Sequence, residues 1–380
     1  MINKEQQPMY RFLLVLTISS VIGLQAWMIL FNNFGVEKAG LTGQQVGAIQ
    51  SIREIPGFLA LLAIYILLII KEHRLSALSI ILLGLGTAAA GFYPSYIGLI
   101  CTTLIMSFGF HYFETTNMSL TLQYFDKNTS PLVFGKLRSY AAASSIFAGL
   151  LIFGLDFFMD YKGLYLTLGS IVLMAGIWAF FQNPTHKNLI PQHKKMIFRR
   201  RYSLFYFLTF MAGARRQIFI AFSIFLMVKI FNFSVKEVTL LFIFNNIVNY
   251  FLSPLIGKAI VRFGERKVLS VEYAGLILVF LAYAFTQSKM VIILMYLIDH
   301  ILFNFAIAIR TYFQKIADPK DIAPSMAAGF TINHIAAVVL PVLGGIVWMV
   351  DYRIPFIAAA VMSGISLIAV QKIPLMYKET

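Results

Sequence analysis

Apolar residues in this chain arrive in long, nearly unbroken runs separated by short polar punctuation. They neither alternate at period two, as half-buried strands would, nor confine themselves to one helical stripe. Runs of this length read as helices that are apolar on every side and cross a bilayer, each needing about 20 residues. The pattern predicts twelve of them, over residues 11–32, 44–70, 75–93, 95–125, 133–156, 161–181, 202–231, 236–261, 266–286, 289–316, 321–349 and 353–373. Between them stand the expected breakers: Gly40 to Gly43, Pro94, Pro131, Asn183-Pro184, Pro191 and Pro319. The longest polar stretch, Gln182 to Arg201, divides six spans from six. The first run follows Lys4 and Arg11 like a secretory signal, yet it continues past Trp27 to Phe31 without a small-residue cleavage site. It is therefore expected to be an uncleaved first helix.

Composition strengthens this picture. Of 380 residues, 59% are hydrophobic and 12% charged, whereas soluble domains average about 45–50% and about 25%. One soluble core of this length cannot bury so much apolar material, while twelve spans would need roughly 240 such residues. A soluble enzyme, a nucleic-acid-binding module and a disordered chain are excluded. The fold class expected is an all-α membrane protein with twelve transmembrane helices.

A net charge of +15 elsewhere suggests nucleic acid, but in a membrane chain the placement of Lys and Arg reports topology. With the N-terminus inside, the inner loops and tails hold 21 of the 31: Lys4, Arg11, Lys71, Arg74, Lys127, Lys136, Arg138, Lys187, Lys194, Lys195, Arg199, Arg200, Arg201, Lys258, Arg262, Arg266, Lys267, Lys315, Lys320, Lys372 and Lys378. The outer loops hold six, namely Lys38, Lys162, Lys229, Lys236, Lys289 and Arg353. This asymmetry places both termini in the cytoplasm and makes a nucleic-acid partner unnecessary. Membrane lipid is an expected partner, with the 194–201 basic cluster near anionic headgroups. Cys101, the single cysteine, admits no disulfide within the chain.

A weak repeat runs at half-chain offset. Tyr124-Phe125, six residues before Pro131, recurs as Tyr312-Phe313 before Pro319, and His111 is matched by His300. Six spans per half with such an offset point to a duplicated six-helix unit. Between spans eight and nine, the segment Gly257 to Lys267 reads Gly-Lys-Ala-Ile-Val-Arg-Phe-Gly-Glu-Arg-Lys. There the chain resembles the major facilitator superfamily of transporters, whose signature has Gly, three residues, Asp, Arg, any residue, Gly and two basic residues. Gly257, Arg262, Gly264 and Arg266 match as a gate motif, while Val261 replaces the Asp and Glu265 a basic residue. The equivalent first-half loop, Lys71-Glu72-His73-Arg74, keeps only basic character. The resemblance implies two pseudo-symmetric six-helix bundles, residues 1–181 and 202–380, joined by a cytoplasmic linker at 182–201. It also implies that the third helix of each triplet lies outside a central cavity.

Ionised side chains at mid-bilayer cost at least about 2.5–3.5 kcal/mol, so they mark interiors, cavities and function. Here the near-central polar groups, charged and uncharged, fall on spans 1, 2, 4, 7, 8, 10 and 11, while spans 3, 6 and 12 carry no ionisable residue near their centres. That distribution predicts one polar midplane chamber. Arg215 and Arg216, adjacent and diverging by about 100° on a helix, are the sharpest feature, since guanidinium forks suit carboxylate or phosphate. With Arg53, Gln25, Asn245, Asn249, Asn333 and Tyr112 they form the expected substrate-binding set. The alternative for the arginines is internal neutralisation by Asp299, Glu54 or Glu114. His111 and Glu114, one turn apart, and Asp299 are the expected proton-coupling groups. His-x-x-Glu is also a helical metal-ligand spacing, but it lacks a second such pair, so no metal or other cofactor is expected.

No P-loop, nucleophile–base arrangement or dinucleotide fingerprint occurs. The expectation is therefore not an enzyme but a proton-coupled secondary transporter of a small organic anion or zwitterion, a monomer in a bacterial plasma membrane. Rival readings are a proton antiporter exporting apolar cations, and a lipid translocase or non-transporting sensor on the same fold.

Overall fold

The computed structural model describes residues 2–185, 190–193, 195–233 and 235–374. Of the inner basic residues, Lys187, Lys194 and Lys378 lie outside these. Among the described residues the chain is helical and contains no strand. Eleven helices there are long and apolar enough to cross a membrane. The remaining expected span, 321–349, is a 29-residue helix, Ile322–Val350.

Contacts gather the chain into two compact units. The first comprises Met1–Phe125, Tyr140–Ile197 and Pro319–Thr331. It holds α1 (Gln7–Glu37), α2 (Gly43–Phe58), α3 (Ala63–Ile66), α4 (Glu72–Ala90), α5 (Tyr96–Tyr124), the later part of α6 (Ser130–Leu155) and α7 (Tyr161–Phe181). Its helix starts are chemically marked. Thr42 and Gln45 form a reciprocal capping box at α2, and the Ser95 and Asp160 side chains accept the Gly98 and Gly163 amides at α5 and α7. Each such cap satisfies amides that the first helical turn leaves without carbonyl partners. α4 packs against both α5 and α7 through small residues. A Cβ added at Gly109 would lie 2.4 Å from the Ser79 carbonyl, and one at Gly169 2.3 Å from the Ala88 amide. Without a hydrophobic drive between helices in lipid, such close backbone approach supplies the dispersion contact that holds them.

The second unit comprises Asp126–Ser139, Phe198–Asp318 and Ile332–Thr380. It holds the start of α6, then α8 (Ser203–Lys229), α9 (Val235–Phe263), α10 (Glu265–Phe285), α11 (Lys289–Phe303), α12 (Ile307–Ile316), the later part of α13 (Ile322–Val350) and α14 (Arg353–Val370). Large apolar side chains such as Met349 and Ile368 are mostly exposed, as surfaces facing lipid tails should be.

Two expected spans are broken instead of continuous. The span predicted over 44–70 is helical from Gly43 to Phe58, passes through a 3₁₀ turn at Leu59–Leu62 and resumes as α3. Pro56 explains the weakening, because it has no N–H for the ladder and its ring crowds the preceding turn. The span predicted over 289–316 is interrupted at Asn304–Ala306 without a proline. There the Asn304 side chain donates to the His300 carbonyl at 3.1 Å and to Asn249 Oδ1 at 2.7 Å.

Candidate functional site

In the first unit, three helices bring polar groups to the broken α2 segment. Arg53 and Glu54, adjacent on α2, bond directly, Nη2 to Oε1 at 2.5 Å. The guanidinium lies 5.3 Å from the centre of the Trp27 ring of α1, and that indole donates to Thr103 of α5 at 3.0 Å. Arg53 and Glu54 are 20% and 24% exposed, so this charge stays reachable inside an apolar span.

Ser107 of α5 donates its hydroxyl proton to the Arg53 carbonyl. The Ser107 hydroxyl oxygen and the Ser107 carbonyl oxygen each lie 2.9 Å from His111 Nδ1. A hydroxyl has one proton, already spent, so both neighbours of Nδ1 are acceptors and Nδ1 must carry the hydrogen. The other ring nitrogen, Nε2, lies 3.9 Å from Glu54 Oε2. The Phe330 ring stands edge-on to the imidazole at 6.0 Å. Glu114, the acid expected to work with His111, lies one turn along α5 and is half-buried. Gln25 donates to Ser145 at 3.4 Å. Tyr112, 7% exposed, donates to the Leu59 carbonyl at 3.3 Å. Tyr112 therefore supports the 3₁₀ turn.

In the second unit the two arginines part company. Arg216 is exposed. Arg215 is 1% exposed, donates to Ser366 of α14 at 2.5 Å and lies 3.9 Å from Glu272 of α10. Its guanidinium sits over the Tyr273 ring at 4.5 Å. Of the two arginines expected to clamp an anion, Arg215 is thus enclosed by α8, α10 and α14 and engaged there. Glu272 is 3% exposed beside Arg215. Asp299 is 0% exposed, and neither carboxyl oxygen has a hydrogen-bond partner.

The asparagines serve mainly as helix contacts. Asn333 donates to the Thr209 carbonyl at 3.2 Å and packs where a Cβ at Gly213 would clash. Asn249 accepts from Asn304, which in turn accepts from Arg138 Nε at 2.9 Å. Asn245 is 2% exposed, its side chain near Tyr296.

The gate motif closes α9 onto α10. Gly264 holds φ +80° and ψ 161°, a region open essentially only to glycine. A Cβ at Gly257 would lie 2.4 Å from the Pro131 carbonyl. Arg262 lies beside Phe263, and Arg266 donates to Gln371 at 3.0 Å. Glu265, the acid at a position that is basic in the signature, is buried and takes Lys315 at 2.8 Å. Glu272, Glu265 and Ser107 matter here although the sequence did not single them out as site residues. Their signal is partnership across helices, which local pattern does not carry.

A family model for the Major Facilitator Superfamily matches residues 10–309 and 205–377. Among curated proteins no match is found. Similar solved structures include the human organic anion transporter MFSD10 (TETRAN), with a TM-score of 0.79 at 10% identity over 97% of this chain and 100% of that one. The E. coli fucose:proton symporter FucP aligns with a TM-score of 0.77 at 14% identity over 97% and 99%. A bacterial homologue of the iron transporter ferroportin, in an outward-facing state, aligns with 0.78 at 14% over 96% and 98%. At these identities the likeness is one of fold. With its apolar helices and the match along almost its whole length, this multi-pass membrane protein belongs to the Major Facilitator Superfamily.

Proposed function

We propose that the protein is a proton-coupled secondary transporter of a small organic anion or zwitterion, working by alternating access between bundles 1–181 and 202–380. The single observation that carries this reading is the Arg53–Glu54–His111 constellation: a partly exposed guanidinium on a broken membrane helix, with a carboxylate shared between it and a titratable imidazole. A substrate's negative group would compete with Glu54 for Arg53. Glu54, so released, would take up its charge balance with His111 Nε2, which links anion binding to protonation. Arg216 supplies a second exposed arginine for substrate, while Glu114 and Asp299 remain the further proton-coupling candidates. The fold accommodates such chemistry, since a human organic anion transporter and a fucose:proton symporter are built on it. Both termini lie in the cytoplasm of a bacterial plasma membrane, in this reading, and the working unit is a monomer.

Purified protein is first screened for thermal stabilisation by small carboxylates, phosphates and amino acids, because selective binding to the native state raises Tm. The compound found is then followed in proteoliposomes. Arg53→Gln is expected to weaken its apparent affinity roughly 10- to 100-fold, the equivalent of losing a hydrogen bond to a charged group, about 1.5–3 kcal/mol. Stabilisation by lipophilic cations alone, or uptake indifferent to both Arg53→Gln and a collapsed proton gradient, would overturn the reading.

A further inference from the structure

The second unit contains a set of charges that does not balance. Arg215 enters it from α8, Glu272 from α10 and Asp299 from α11, each at most 3% exposed. A guanidinium keeps its proton in protein, so the set has one positive charge and two groups able to be negative. Glu272 Oε1 lies 3.9 Å from Arg215 Nη2. Asp299 feels the charges of Arg215 and Glu272, yet among the described residues no donor reaches either of its oxygens. Tyr283 of α10 and Tyr296 of α11 lie within its field, and Asn245 of α9 lies near Tyr296. His300 turns its Nδ1 to the Tyr296 carbonyl at 3.2 Å. On α14, Ser366 is committed to Arg215.

A second carboxylate without donors or a counter-ion of its own, in surroundings this dry, costs several kcal/mol. One proton removes that cost and brings the set to zero net charge. We propose that Arg215, Glu272 and Asp299 form a one-proton site, in which Asp299 holds the proton while Glu272 serves as the counter-ion of Arg215. The two acids are interchangeable. If Arg215 turns from Glu272 to Asp299, the O–H bond on Asp299 breaks, one forms on Glu272, and the proton count stays at one. Complete release of the proton leaves one guanidinium shared by two carboxylates. This deepens the proton-coupling reading above and rests on it for its consequence in transport; it adds Glu272 to the titrating groups and gives Arg215 the part of counter-ion.

The test needs no substrate. Full-length protein in liposomes near neutral pH is examined by infrared spectroscopy in H₂O and D₂O, and its Tm is followed in detergent. A deuterium-sensitive carbonyl stretch of a protonated carboxylic acid is expected in the parent and lost in Asp299→Asn, with Tm little changed because the amide mimics a neutral acid. In Glu272→Gln the same band is expected to vanish, since Asp299 becomes the only counter-ion of Arg215 and ionises. Asp299→Asn combined with Glu272→Gln leaves Arg215 uncompensated and is expected to melt far below either single variant.

A band that survives Asp299→Asn overturns the proposal, as does a single variant as unstable as the double. If Asp299→Asn cannot be recovered folded, Glu272→Gln decides alone, and a retained band there counts against the site. A parent Tm raised by sodium chloride but not by choline chloride, with the effect absent in Asp299→Asn, would replace the proton with bound sodium. Because Arg53→Gln is expected to leave this band untouched and to impair uptake, failure of the site and failure of the transport reading give different results.

Discussion

At Ser107 one hydroxyl proton decides the state of a histidine. Given to the Arg53 carbonyl, it obliges His111 to carry hydrogen on Nδ1 and turns Nε2 toward Glu54. Comparable single-residue reasoning applies to the turn before α6. Burial, the largest influence on Asp126, raises its carboxyl, but the Thr129 hydroxyl and the Asn128 and Thr129 amides together hold it below the ordinary carboxylate range. A lowered native value means that Asp126 contributes stability above the usual carboxylate range, and that this contribution is lost as pH falls through the native value. Thermal melts from neutral to strongly acid pH should therefore converge for the parent and Asp126→Ala at the acid end, with the parent ahead at neutral pH. Gly264 offers a plainer case. Its backbone lies where a Cβ is strained, so Gly264→Ala is expected to cost about 1–3 kcal/mol, seen as a lower Tm in detergent. Val261 and Glu265 show why the motif was only partly informative at this scale: the chain departs from the signature, and only the contact with Lys315 explains the acid.

Helices were the most legible level. A run of apolar residues long enough to span lipid has few alternatives, because backbone amides in hydrocarbon must be satisfied within the segment. The observed α1, α4, α5, α7 and α10 accordingly overlie their expected spans to within a few residues at each end. Breaks inside spans were less visible. Pro56 could be read for weakness, but hydropathy contains no trace of the interruption at Asn304, which arises from side-chain bonds to Asn249 and Arg138 on other helices. Replacing Asn304 by Leu should leave the Asn249 side-chain oxygen without its Asn304 donor in a buried setting, at about 1–3 kcal/mol. The expected readout is a Tm below that of the parent and of Asn304→Asp, which keeps an acceptor for Arg138.

For the whole molecule, the distribution of Lys and Arg carries the orientation proposed above, and it too can be measured. In a Cys101→Ser background, a cysteine at Lys38 should react with a membrane-impermeant maleimide in intact cells, whereas one at Arg266 should react only after the inner face is opened. The reverse pattern would invert the topology and with it the inner placement of the gate motif. Hydrophobic content, span count, the half-chain repeat and membership of a transporter family were all determined by the sequence itself, because they depend on composition and spacing along one dimension. The partners of the buried charges were not. Arg215 and Arg216 are neighbours of identical chemistry, yet the turn of one helix sends the first to Glu272 and Ser366 and leaves the second exposed. Only the tertiary structure could decide that, since an ion pair is set by distance between helices, and residues 215, 272 and 366 meet only once α8, α10 and α14 have packed.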